Sequence, residues 1–158
     1  MTALFSDATV VEARAALLSI VKERGGKADC PVCQRHTQIY WHPINKNMAK
    51  GLIALWQDHR RGWGDIQAVR IKHNLHRSKQ ETTIARWGLM EEEAVRRPDG
   101  GRAGFWRVTA DGERWLKGEK NIPKYALLYD SKCLGHRGEY VSIHDALGMN
   151  FDYRSVMN

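Results

Sequence analysis

Residues 30–42 read CPVCQRHTQIYWH and hold two of the chain's three cysteines and two of its seven histidines. A Cys-x-x-Cys pair lets one backbone turn aim two thiolates at a single zinc ion, and a closed structural site needs two further ligands. The sequence offers two ways to complete the set. His36 and His42 follow Cys33 locally, whereas CLGH places Cys133 and His136 at the same spacing far downstream. Zinc on Cys30 and Cys33 is therefore an expectation with its remaining ligands open. The competing reading is a pair of reduced thiols packed as small apolar groups. A thioredoxin-like redox pair is disfavoured, because the segment does not sit between the strand and helix of a βαβ unit.

The second constellation is basic. Arg77, Ser78, Lys79, Gln80, Thr82 and Thr83 run almost consecutively, with Arg86 one helical turn on. Arg96, Arg97 and Arg102 surround a Pro-Asp-Gly-Gly turn. Arg and Lys read guanine and Gln reads adenine through paired hydrogen bonds, while arginines on a glycine-rich tip suit phosphates or the minor groove. A formal net charge of +7 on 158 residues favours a polyanionic partner. Glu91, Glu92 and Glu93 oppose it if they face a duplex. No phosphate-binding glycine loop, His-Glu-x-x-His or nucleophile elbow is present, so no catalytic residue and no enzyme is expected.

Several elements must position these residues. Thr9 and Glu12 form a capping box for an amphipathic helix that Gly25 and Gly26 stop. TQIYWHP reads as a strand. Asn45 caps a helix whose stripe is Met48, Leu52, Leu55 and Trp56. Asp65 caps a short helix with Ile66, Val69 and Leu75 inward. Ser78 and Glu81 form a second capping box, for a helix ending at Gly88. LMEEEAVRR and GFWRVTADG follow as two strands around the Pro-Asp-Gly-Gly turn. IPKYALLYD and GEYVSIHDALG add strands, the latter leading into a helix capped by Ser142 and Asp145.

The phrases TTIARWGLMEEE and RRPDGGRAGFWRVTADGERWL resemble a winged helix-turn-helix domain. That resemblance implies a recognition helix in the major groove and a two-stranded wing beside it. The whole chain also resembles a set of small phage and prophage proteins, through CPVC, INKNMAKGLI, RWGLMEEE and IHDALGMNFDY. This second likeness implies an origin and a fold but no mechanism. A glutamine stands after Cys33, where zinc knuckles commonly carry glycine.

The expected fold is α+β, mainly helical: a winged helix-turn-helix with an N-terminal helix, a zinc knuckle and a small C-terminal extension. The expected divisions are 1–44, 45–118 and 119–158. The expected function is non-enzymatic binding of double-stranded DNA, as a transcription regulator or accessory factor. Lys79, Gln80, Thr83 and Arg86 would supply specificity, and the amphipathic first helix allows a homodimer. The alternative is a phage-encoded inhibitor docking on a host polymerase or defence complex, in the manner of an anti-CRISPR protein, which Trp63 and Trp106 would suit as exposed aromatics. No run of 18 apolar residues occurs, so no membrane partner is expected. The acidic, non-basic start argues against a signal peptide and for a cytoplasmic protein.

Overall fold

A computed structural model describes residues 9–95, 97–100 and 104–157. Along the chain run α1 (Val10–Glu23), β1 (Lys27–Asp29), β2 (His36–Gln38), β3 (Tyr40–Pro43), α2 (Lys46–His59), β4 (Gly64–Asp65) and α3 (Ile66–Lys72). A 3-10 helix (Glu81–Trp87) follows, then β5 (Met90–Glu92), β6 (Phe105–Val108), α4 (Ala110–Leu116), β7 (Ile122–Tyr129), β8 (Lys132–Val141), α5 (Ile143–Leu147) and α6 (Tyr153–Met157). The strands form three small sheets, ordered β1-β2, β3-β7-β8 and β4-β6-β5.

The chain divides into two compact units. One runs as far as His42 and includes Leu127–Gly135; the other comprises Pro43–Ala126 and the chain from His136 onward. The 119–158 stretch, expected as a single extension, is thus shared between them.

In the first unit, α1 begins at the capping box read from the sequence. The Thr9 amide donates to Glu12 Oε2 at 2.7 Å and the Glu12 amide donates to Thr9 Oγ1 at 3.2 Å. The helix buries Val21 and leaves Val10 and Val11 exposed. β1 and β2 pair antiparallel, Lys27 opposite Gln38 and Asp29 opposite His36, with the cysteine turn joining them. Asp130 and Ser131 both have positive φ, as the two central residues of a tight hairpin between β7 and β8 require.

The second unit is built on α2. Asn45 caps it by accepting from the Met48 amide at 3.1 Å. Met48, Leu52, Leu55 and Trp56 are buried, and so are Ala49, Gly51 and Ala54, so the helix is enclosed on more than one face. Around it pack α3, the 3-10 helix, β6 and α5. β5 and β6 pair antiparallel, with Met90 opposite Val108 and Glu91 opposite Arg107. The Val-Thr-Ala-Asp-Gly phrase then has a local cause. Thr109 caps α4 by accepting from the Gly112 amide at 3.1 Å, while its own amide donates to Leu89 C=O at 3.1 Å. A Cβ at Gly112 would overlap that same Leu89 oxygen, so only glycine lets α4 lie this close to the strand entry.

One fold expectation is corrected. Helix takes about 40% of the described residues and strand about 26%, so the protein is a mixed α+β chain rather than a mainly helical one. The strand not read from the sequence is β1, β4 and the first half of β8, whose residues carry weaker apolar alternation than the helices carry periodicity. The winged helix-turn-helix reading is not confirmed. A recognition helix starting at Ser78 is absent: residues 73–80 carry no helix, and Glu81–Trp87 is 3-10.

Candidate nucleic-acid interface

The cause of that missing helix start lies in Glu81. Its carboxylate does not reach back to cap Ser78 but is buried, 2% exposed, in an ion pair with Arg70 of α3. Ser78 turns instead to His76, whose Nδ1 accepts from the Ser78 hydroxyl at 2.8 Å and from its amide at 3.1 Å. Gly51 of α2 permits this arrangement. A Cβ there would overlap Glu81 Cβ, so the α2 backbone meets the Glu81 side chain directly. Thr82 and Thr83, β-branched and poor helix formers, give the α-helix little reason to start earlier.

The basic residues are divided by this anchoring. Arg77, Ser78 and Lys79 are exposed in the loop between α3 and the 3-10 helix. Lys79 sits at φ 55° and Asn74 at φ 50°, so the loop turns sharply at both ends. Arg77 and Lys79 line a shallow depression of about 380 Å³ with Ile71, Asn74 and Leu75. Gln80 and Thr83 face inward. Asn45 Nδ2 donates to Gln80 Oε1 at 2.8 Å, and the Thr83 hydroxyl donates to Gln80 C=O. Gln80 thereby holds the 3-10 helix to the start of α2, while Thr83 bonds back within its own segment. Thr82 and Arg86 are half-buried. The Arg86 carbonyl accepts from His136 Nε2 at 2.8 Å, with the His136 ring 6.0 Å from that of Trp87.

On the hairpin, Arg97 is exposed, and Arg96 and Arg102 lie outside the described residues. The three glutamates at its base are less repulsive than their run suggests. Glu91 pairs with Arg107 directly across the strands, and Arg107 also lies over the Trp63 ring at 4.4 Å. Trp63 and Trp106 are half-buried, and Trp63 is capped by this guanidinium rather than open for docking.

Three other acids of this unit are paired with bases in the same way. Asp58 accepts from Lys72 at 2.9 Å and faces His73 at 3.1 Å. Burial pushes the Asp58 carboxyl up, but its bonds to Lys72 and His73 outweigh that and hold it below the usual carboxylate range. Glu113 behaves likewise between Lys117 and Arg61. Asp111 pairs with Arg114 and Lys120. Arg77, Lys79 and Arg97 pair with no carboxylate among the described residues. The 73–80 loop and the hairpin tip therefore present positive charge to solvent, as sequence reasoning expected for these three residues.

The cysteine turn in the first unit is a separate feature. The Cys30 amide donates to Arg35 C=O and the Gln34 amide to Cys30 C=O, both at 2.8 Å. The backbone amides of Cys33 and Val32, and less strongly the Cys33 thiol and the Gln34 amide, hold the Cys30 thiol below its ordinary pKa against the cost of desolvation. The local completion by histidine is not assembled. His36 Nδ1 faces Asp29 at 3.2 Å and its Nε2 faces Gln38 at 3.4 Å. His42 lies within β3. The distant completion is not assembled either: the Cys133 thiol donates to Gly135 C=O at 3.4 Å, and His136 is held by Arg86 and Trp87. Among the described residues, no group of three or more His, Cys, Asp or Glu side chains is placed to hold one metal ion.

No family model, curated protein or solved structure matches this chain. Among the described residues, no helix is long and apolar enough to cross a membrane.

Proposed function

We propose that this protein binds double-stranded DNA without catalysing a reaction on it, as a regulator or accessory factor. Its resemblance to small phage and prophage proteins suggests such a genome as its setting. One observation carries the reading: Arg77 and Lys79 stand exposed in one loop, paired with no carboxylate among the described residues, while the acids around them are engaged. Arg97 extends the charge to the hairpin. Such groups release condensed counterions when they meet phosphates, and that release drives sequence-independent affinity. The inward bonds of Gln80 and Thr83 make them supports for the loop, so base reading falls to Lys79 and Arg86.

The test is fluorescence anisotropy of labelled duplexes across a salt series. Three phosphate contacts give a slope of log K against log salt of about −2.7. Absence of binding at low salt overturns the proposal. A second reading, docking on a host protein complex, is favoured by Tyr40 and Trp41, adjacent aromatics that are each 59% exposed on β3. A stoichiometric partner recovered from nuclease-treated lysate, and lost in Trp41→Ala, would support it.

A further inference from the structure

The DNA reading makes no use of the Cys30-Pro31-Val32-Cys33 turn, which the fold nevertheless fixes closely. The antiparallel β1-β2 pair closes on it, with Asp29 opposite His36 as the last rung. Two backbone hydrogen bonds, Cys30 to Arg35 and Gln34 to Cys30, fix its path, and Gln34 takes φ 61° to close it. Both cysteines thus lie in one short turn closed by backbone hydrogen bonds. This is a preformed pair of soft ligands.

The pair is open to solvent. Cys33 is exposed, Cys30 half-buried, and Gln34, Arg35 and His36 are exposed around them. Val32, between the cysteines, is 66% exposed, an apolar side chain left at the tip of a hairpin. Among the described residues no group of three or more His, Cys, Asp or Glu is placed to hold one metal ion: His36 faces Asp29 and Gln38, His136 is held by Arg86 and Trp87, Cys133 donates to Gly135, and His42 lies within β3. One chain therefore offers two of the four ligands that a closed tetrahedral site needs.

We propose that Cys30 and Cys33 form half of a zinc site, and that the same two cysteines of a second copy complete it. A two-fold axis through the metal supplies identical ligands from identical surfaces and generates a closed dimer. Thiolate softness selects zinc over harder divalent ions. Four thiols lose their protons to the solvent as one zinc ion is bound, so assembly releases four protons per metal and weakens at low pH. The hairpin tips meet, and the exposed Val32 side chains are covered. This site stands independently of the DNA reading.

The test uses the full chain, reduced and free of oxygen, titrated with zinc chloride. Metal content after desalting is read by elemental analysis, and mass by sedimentation. The expected result is one zinc per two chains in a dimer, with Co(II) giving the visible ligand-field bands of a tetrahedral tetrathiolate. Cys30→Ser with Cys33→Ser, shown by far-UV circular dichroism to keep its fold, should neither bind zinc nor dimerise with it. Cys133→Ser should behave as the parent protein. One zinc per chain on a monomer would overturn the proposal, because the ligands would then come from within the chain. So would zinc uptake or zinc-dependent dimerisation that persists in the double variant, or no uptake by the parent chain.

Discussion

Replacing Glu81 by alanine should destabilise the protein more than any change in the loop it anchors. Glu81 is 2% exposed and the Arg70 side chain 16% exposed, so the pair is nearly removed from water. Deleting the carboxylate leaves the guanidinium without its partner and opens space against Gly51, where no side chain can fill it. Breaking one side of a buried ion pair costs about 3–5 kcal/mol. Arg70 keeps some contact with water and can partly rehydrate, which places the loss near about 3 kcal/mol. A chain of this size loses roughly 2–4 °C of Tm per kcal/mol, so the midpoint should fall by about 6–12 °C. Thermal unfolding followed by circular dichroism reads this directly. Arg70→Met should suffer less, because the remaining carboxylate can be protonated. The double variant Glu81→Ala with Arg70→Met should lose less than the sum of the two single variants, giving a coupling energy above about 1 kcal/mol. A Glu81→Ala protein within about 0.5 kcal/mol of the parent would refute the reasoning, since that is the range of an ordinary surface substitution.

Other outcomes follow from the same geometry. Gly112→Ala should lower stability by about 1–3 kcal/mol in urea unfolding, because its Cβ would collide with the Leu89 carbonyl, and an unchanged midpoint would count against the close approach. Asp58 has a folded pKa below its unfolded value of about 4, so its contribution is present above that pH and lost as pH falls through the folded value. Asp58→Asn should therefore flatten the acid limb of a stability-versus-pH curve, and an identical limb would contradict the assignment. Cys30, held toward its thiolate by three amides and the Cys33 thiol, should react with iodoacetamide at pH values below the ordinary thiol range near about 8.5. Peptide mapping that finds an ordinary pH profile would remove that claim. Arg77→Ala and Lys79→Ala should each reduce the salt slope of duplex binding by about 0.9, whereas Gln80→Ala should leave the slope intact and lower stability. An unchanged slope in Arg77→Ala and Lys79→Ala would remove both side chains from the phosphate contacts.

Much of the local structure was legible because its causes are local. Thr9 with Glu12, Asn45, Asp65 and Ser142 with Asp145 all cap the helices their spacing predicts, each through a bond spanning two or three residues. The α2 stripe is buried as its period requires. β5 and β6 pair where two strands were expected, although β5 ends at Glu92 rather than running on to Arg97. The exposure of Arg77, Lys79 and Arg97 was also readable, since solvated charge is the default for such residues.

The second capping box shows where that reasoning ends. Ser78-x-x-Glu81 has the same pattern as Thr9-x-x-Glu12, and only the first forms. A capping bond is worth about 1 kcal/mol. A buried arginine 11 residues upstream competes for the same carboxylate, and leaving that guanidinium unpaired costs several times more. The ion pair therefore prevails over the cap and the helix start is lost. The inward turn of Gln80 and Thr83 and the 3-10 geometry of the segment follow from it. The zinc ligands met a similar limit. Spacing could nominate His36, His42, Cys133 and His136, but their orientation depends on which neighbours reach them in the folded chain. The sequence by itself determined the caps, the stripes, the turns and the sign of the surface charge, because those arise within a few residues. Only the tertiary structure decided which carboxylate meets which guanidinium and which histidine meets which carbonyl, because those pairings depend on energies between segments that the chain brings together last.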